Sequence, residues 1–425
     1  MVIEPRARVV SARELAIKVL DAALLNREPA EATFAREAAA AGLSARDRAF
    51  ARLLYITVLR RKAAIDAALA THLRELPKQR SAMNLLRTGA AQLIYLKTAP
   101  HAGVGESVEL AKRRRLAPPG LVNAVLRKLV GQAPPDLAPL AAMPAWLADR
   151  WDAVYGRELA TAIATALGTE PPLDLTVKDD AQGWAERLGG RVVGPSTVRL
   201  VHAGVIEELA GYAEGAWWVQ DLAATLPARV LAAQAGERVL DLCAAPGGKT
   251  AQLVSSGAEV TSVERDPSRA ARLETNLRRL RLPARVVVEN ISKYVPQTLF
   301  PAVLLDAPCT ATGTLRRHPD IMWSKGFSDI ATMARMQRQL LDKSAAFVAP
   351  GGRLVYAVCS LEPEEGPQVV DGFLATNPDF SRLPIRLDET GFAPTDAGDL
   401  RTHPALLADK GGLDGFYIAR LGCAA

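Results

Sequence analysis

Residues 238–250, RVLDLCAAPGGKT, run an apolar strand into a Pro-Gly-Gly turn and on into a helix that starts near Lys249 and Thr250. Downstream, AEVTSVER (258–265), ARVVVEN (284–290), AVLLDAP (302–308) and GRLVYAVCS (352–360) are further short apolar runs separated by segments of helical character. Such alternation predicts a parallel sheet covered on both faces. In a sheet of this kind the ligand lies beyond the carboxyl ends of the strands, so chemistry is expected directly after each run. Glycines let the backbone approach a ligand closely, and the first amides of a helix offer donors to its polar atoms. The loop is not the phosphate-binding GxxxxGK[ST], because Cys243 stands five residues before Gly248 where that pattern needs glycine. Glu264, closing the second strand, is placed to accept bonds from both hydroxyls of a ribose.

Outward from this region the pattern changes. Residues 11 to about 131 are rich in Ala, Leu and Arg with apolar residues at helical spacing, as in RAFARLLYITVLRRKAAIDAAL (48–69), and predict a helical bundle. Breaks are expected at Ala41-Gly42, Leu76-Pro77, Pro100 to Gly105 and Pro118-Pro119-Gly120. GQAPPDLAPLAAMP (131–144) reads as a linker, since its prolines deny helix continuation. After another helical stretch from Trp146 to Gly168, PPLDLTVK, AQGWAERLG, RVVG and TVRLV suggest a small mixed subdomain ending near Gly215. The expected division is a helical domain over 1–135, a linker helix and small α+β subdomain over 140–215, and an α/β domain over 216–425.

With 425 residues, 49% of them hydrophobic and 23% charged, the chain has the composition of an ordinary globular protein and excludes the disordered class. No apolar run reaches the roughly 18 residues of a membrane span and no signal peptide opens the chain, so a cytoplasmic protein is expected. The four cysteines, 243, 309, 359 and 423, form no CxxC pair. Free thiols and no metal are expected. The net charge of +6 is modest, but the cations cluster at Arg60-Arg61-Lys62, Lys112 to Arg115, Arg278-Arg279 with Arg281, and Arg316-Arg317. Phosphate backbone and plain solvated helix faces both fit these clusters.

At DLCAAPGGKT (241–250) the chain resembles the RNA cytosine-5 methyltransferases, in layout the bacterial ribosomal RsmB (Sun, Fmu) family. The resemblance implies a Rossmann-like class I methyltransferase domain with S-adenosylmethionine along Cys243, Ala244, Ala245, Pro246, Gly247, Gly248 and Lys249. It puts Glu264 on the ribose, where the family more often has Asp, and Asp306 beside the cofactor. Asn290 stands where the family carries an Asp near the adenine; an Asn oxygen can still accept from an amino group.

Carbon 5 of cytosine is a poor nucleophile, so its methylation needs a thiolate added at carbon 6, an acid on the N3 and amino edge, and a proton acceptor. LLDAPCTATGTLRRHPDIMW (304–323) and LVYAVCSLEPEEG (354–366) each end an apolar run in a cysteine. A lone cysteine after a strand is more often an inert core residue. Two of them, Cys309 and Cys359, with Asp306 three residues ahead of the first, favour a reactive pair. The residues alone do not say which thiol attacks. The resemblance does, implying Cys359 as nucleophile and Cys309 as the thiol that assists product release, although Val358 replaces the family's usual Thr. Asp306 is the candidate for holding the cytosine edge, Lys249 for reaching the base or its phosphate. His318 is read as part of an RNA-gripping loop and not as a catalyst.

The stretch from Asn84 to Leu129 resembles the NusB-type helical domain that this family carries at its N-terminus. That join implies 16S ribosomal RNA as substrate, and the target cytosine is expected to be unstacked; a monomer without metal or membrane is the further expectation. A tRNA cytosine-5 methyltransferase and an inactive RNA-binding factor are the competing readings.

Overall fold

The computed structural model describes residues 10–201 and 204–425. Two compact units are present: one holds the chain to Thr169 together with Leu315–Lys325, the other Glu170–Thr314 and Gly326–Ala425.

The first unit is all helical, with helices Ala12–Leu25, Ala30–Ala41, Ala45–Arg60, Lys62–Ala70, Arg80–Ile94, Pro100–Arg114, Pro119–Leu129 and Ala145–Leu167. Their ends follow the local chemistry. The Ser11 and Ser44 hydroxyls accept from the backbone N–H of Glu14 and Asp47 at the starts of two helices, and Gly42, at φ +60°, ends a third. Pro100 and Pro119 occupy first helical turns, where a missing N–H costs nothing. The expected break at Pro100 to Gly105 therefore falls just before Pro100, and residues 100–105 are helical. Gly103 lies inside the helix because Leu93 packs on it: a Cβ there would stand 2.9 Å from Leu93 Cδ2. Leu15, Leu20, Leu54, Leu59, Leu86 and Leu126 belong to one core.

Leu315–Lys325 fold with this unit. The Ala30 N–H donates to Asp320 at 3.1 Å, Trp323 Nε1 to the Leu59 carbonyl at 2.8 Å, and Arg60 to the Arg316 carbonyl at 2.8 Å. Two of the basic clusters are accordingly less available than their sequence suggests. Arg316 is 1% exposed, and Arg113 and Arg114 both pair with Glu14. His318 sits in this same segment.

The second unit contains two sheets. The smaller is antiparallel, built from β1 (Leu173–Val177), β2 (Arg191–Gly194), β3 (Thr197–Leu200) and β4 (Trp217–Val219) in the order β2-β3-β1-β4, with helix Ala181–Leu188 after β1. It runs past the expected end near Gly215, because Trp217–Val219 pair with β1. The larger sheet comprises β5 (Arg238–Leu242), β6 (Glu259–Glu264), β7 (Arg285–Val288), β8 (Phe300–Asp306), β9 (Val348–Val358), β10 (Phe380–Arg382), β11 (Leu400–Arg401) and β12 (Tyr417–Cys423). Its order is β10-β12-β9-β8-β5-β6-β7, with β11 also on β12.

β5 to β9 are parallel, as the strand-helix alternation predicts. The sheet as a whole is mixed, however: β10, β11 and β12 pair antiparallel. FYIARLG is too short and too evenly apolar for its direction to be read from pattern. No helix of the described residues is long and apolar enough to cross a membrane, and among them no group of three His, Cys, Asp or Glu could hold a metal ion.

A buried ion pair stabilises this unit. Arg199 Nε and Nη2 donate to the two oxygens of Asp174, each at 2.7 Å and with both side chains fully buried, while Nη1 donates to the carbonyls of Lys410 and Gly412. Asp174 also accepts from the Leu222 N–H at 3.0 Å. Arg199→Ala leaves a buried carboxylate uncompensated and is expected to destabilise this unit by about 3–5 kcal/mol. Denaturant unfolding followed by tryptophan fluorescence measures it, and the double change to Asp174→Leu with Arg199→Met is expected to cost less than the single one.

Candidate active site

Register brings the functional residues to one edge of the larger sheet. Leu242 is level with Val263 and Leu305, Glu264 with Val288, and Asp306 with Ala357. The loop after β5, Glu264, Asn290, Asp306, Cys309 and Cys359 therefore all follow the carboxyl ends of parallel strands.

The loop after β5 turns sharply. Cys243 has φ +59°, and Gly247, at φ +106°, is pressed by Leu273, whose Cδ1 would lie 2.4 Å from a Cβ. Only glycine fits Gly247. Ala244 and Ala245 pack on Leu273 and Leu277, while the carbonyls of Ala245 and Pro246 accept from Arg269 at 2.7 Å and Asn276 at 3.0 Å. Helix Gly248–Ser255 follows, anchored by Thr250, whose hydroxyl donates to Asp241 at 2.5 Å and lies 3.2 Å from that of Ser262. Asp241 is fully buried and one of its oxygens has no partner. Burial and the nearby Asp306 charge push its carboxyl up to about 7, against the pull of Thr250 and Lys249.

A cleft of about 250 Å³ opens beside this loop, lined among others by Cys243, Glu264, Asn290, Met336 and Leu340. Glu264 is 2% exposed; its Oε1 accepts from the Asp266 N–H at 3.1 Å, whereas Oε2 has no hydrogen-bond partner, the Arg269 guanidinium standing 3.6 Å off. A buried acceptor without a hydrogen bond, on a residue that lines the cleft, fits the hydroxyl donors of a ribose. Asn290 is oriented differently from the sequence expectation. Its oxygen already accepts from the Ser292 N–H and hydroxyl, each at 3.0 Å, which leaves the amide nitrogen as its open group among the described residues. Cys243, which lines the cleft, is pushed up to about 12 by burial and the charges of Asp306 and Glu264, which disfavours its thiolate.

On the other side of Asp306 lie the two remaining strand-end thiols. Cys309 Sγ and Cys359 Sγ are 3.4 Å apart, both half-buried. The Cys359 sulfur, burial and the Glu365 carboxylate hold the Cys309 thiol well above its ordinary range, so Cys309 keeps its proton at neutral pH. Lys249 donates to Asp306 at 2.7 Å and stands 5.2 Å from the centre of the Phe416 ring. Cys309, Cys359, Asp306 and Lys249 thus meet at one strand edge, next to the cleft.

Sequence reasoning passed over Asp241, Phe416, Gln337 and the individual role of Glu365. An acid inside the apolar run VLDL was a signal for the first; nothing local marks Phe416 or Gln337.

Residues 228–422 match the family described as 16S rRNA methyltransferase RsmB/F, and residues 10–131 match the NusB family. A ribosomal RNA small subunit methyltransferase B of Cronobacter sakazakii is 37% identical over 366 residues, covering 81% of this chain and 82% of that one. Among solved structures, PH0851 superposes over 96% of this chain and 98% of its own with a TM-score of 0.78 at 22% identity. A methyltransferase homologue from Pyrococcus horikoshii, 27% identical, covers 65% of this chain and 94% of its own at a TM-score of 0.55. These likenesses span the helical unit and the sheet alike, so the chain belongs to the RsmB/F family of S-adenosylmethionine-dependent RNA methyltransferases.

Proposed function

We propose that this protein methylates carbon 5 of one unstacked cytosine in 16S ribosomal RNA, with Cys359 as covalent nucleophile and Cys309 as the thiol that assists release. The observation carrying this reading is the pair of thiols 3.4 Å apart, beside the Lys249–Asp306 ion pair and next to the cofactor cleft. The names of the relatives supply the RNA class.

Bound S-adenosylmethionine supplies an electrophilic methyl group on a sulfonium; Glu264 and the Cys243–Gly248 loop are the residues that would hold it. The chain's own groups make carbon 5 reactive. Cys359 reacts as the thiolate, its proton released to solvent, and forms a bond from Sγ to carbon 6 as the pair of the 5,6 double bond moves toward carbon 5. Asp306, held by Lys249, binds the N3 and amino edge and stabilises a proton held at N3, which offsets the negative charge that the adding thiolate pushes onto the ring. After methylation the carbon-5 proton passes to a base, the double bond re-forms and the bond from carbon 6 to Cys359 breaks. Cys309, protonated and 3.4 Å away, is suited to hydrogen-bond the departing sulfur.

In this scheme Cys309→Ala should accumulate a covalent protein–RNA adduct, whereas Cys359→Ala should give neither adduct nor product. Denaturing gels of both variants incubated with RNA read this out, and the reversed pattern would exchange the two roles. Asp306→Ala should lower kcat by about 10²- to 10⁴-fold, the range for a positioned acid-base group, in steady-state methylation assays. Supplied with naked 16S ribosomal RNA and bulk tRNA, the enzyme should label the former from methyl-labelled cofactor; label confined to tRNA would sink the ribosomal assignment.

A further inference from the structure

Glu365 lies six residues past Cys359, just before helix Pro367–Leu374, and is fully buried. A buried charge is costly unless its lone pairs are met. Here both oxygens are. Oε1 accepts from the Thr310 backbone N–H at 2.8 Å and from the Gln337 amide at 2.9 Å. Oε2 accepts from the Ser360 hydroxyl at 2.5 Å and from the Thr310 hydroxyl.

The identity of these donors is what matters. Thr310 directly follows Cys309 and Ser360 directly follows Cys359, so one carboxylate grips the residue after each thiol. The Gln337 amide also donates to the Pro308 carbonyl at 2.8 Å, tying in the residue before Cys309. Around the same point the hydroxyls of Thr310 and Thr312 each lie 3.3 Å from that of Ser360. Tyr356 fixes the clamp itself by donating to the Glu365 carbonyl at 2.6 Å. Four donors aimed at two oxygens suit an acceptor-only, ionised carboxylate. Burial raises this carboxyl above its ordinary range, and the donors offset part of that rise.

We propose that Glu365 is a positioning residue that sets the separation of the two thiols by bridging the loops that carry them. This rests on the reading that both thiols take part in the reaction. Catalytic groups must be held within fractions of an ångström, and misplacement by about 1 Å can cost on the order of 100-fold in rate.

The test compares Glu365→Ala with Glu365→Gln. Glutamine keeps the shape: its oxygen can accept from Thr310 and Gln337, and its amide can donate to the two hydroxyls, which turn to accept. Alanine removes the bridge. Thiol spacing is read independently of catalysis with phenylarsine oxide, whose arsenic forms bonds to two neighbouring sulfurs as the two thiol protons and its oxygen leave as water. Cys309→Ala sets the level of capture by a single thiol.

Expected are loss of two-thiol capture in Glu365→Ala to the Cys309→Ala level, with kcat down on the order of 100-fold and KM for cofactor within a few-fold of wild type. Glu365→Gln should restore capture and kcat together. Capture retained in a folded Glu365→Ala enzyme, whatever its kcat, overturns the proposal. Capture lost with kcat intact upholds the spacing role and overturns the two-thiol reaction instead. Should the alanine variant not fold, Glu365→Asp, too short to reach both loops, replaces it; capture equal to that of Glu365→Gln then refutes the clamp.

Discussion

β8 and β9 run side by side in parallel with Asp306 level with Ala357, and neighbouring strands lie about 4.8 Å apart. Whatever follows these two strands must therefore share a small volume. Cys309 comes three residues past Asp306 and Cys359 two past Ala357, so strand pairing brings the two thiols near one another. The loops close the remaining distance. The Gly313 N–H donates to the Cys359 carbonyl at 3.0 Å, and the Gly415 N–H to the Gly313 carbonyl at 2.8 Å, folding the turn after Cys309 across the end of β9. Gly313 has no substitute there, since a Cβ would fall 1.9 Å from the Gly415 oxygen.

Burial and the acids around this edge act together on two of the thiols. Cys243, facing Asp306 and Glu264, is raised to about 12 and is chemically quiet. Cys309 is raised chiefly by its contact with Cys359 and by burial, with Glu365 adding to both. This environment keeps the protons on Cys243 and Cys309. It suits a site in which one thiol holds a proton next to another that is to react, and it makes Lys249 the group that offsets the charge of Asp306.

The helical unit and the parallel β5 to β9 were legible because each carries its own pattern: 3.6 residues in RAFARLLYITVLRRKAAIDAAL, short apolar runs in VLDL, interrupted only by Asp241, and AVLL. Strand-end chemistry was legible for the same reason, since a parallel sheet dictates where to look. What pattern could not supply was partnership across distance. Arg316 looked like a surface cation and is buried beneath Arg60, while Arg113 and Arg114 are taken by Glu14, about a hundred residues earlier. Asn290 read as an acceptor, yet Ser292 occupies its oxygen. Such pairings are fixed by tertiary packing and leave no periodic trace.

The antiparallel strands at the C-terminal end were the least readable part of the larger sheet, yet they complete its active edge. β12 pairs with β9 from Tyr417 opposite Val358 onward, which sets Phe416 and Gly415 immediately beyond the end of β9. Phe416 offers its ring to Lys249, and Gly415 receives the turn that follows Cys309. Tyr417 is buried against Tyr356, the residue that holds the Glu365 carbonyl. A parallel sheet that ended at β9 would leave that strand as an edge, with its ladder open and Lys249 without its aromatic neighbour. The reversed strands therefore both cover the edge and supply one wall of the site, so the order of strands and the chemistry at their ends are a single constraint.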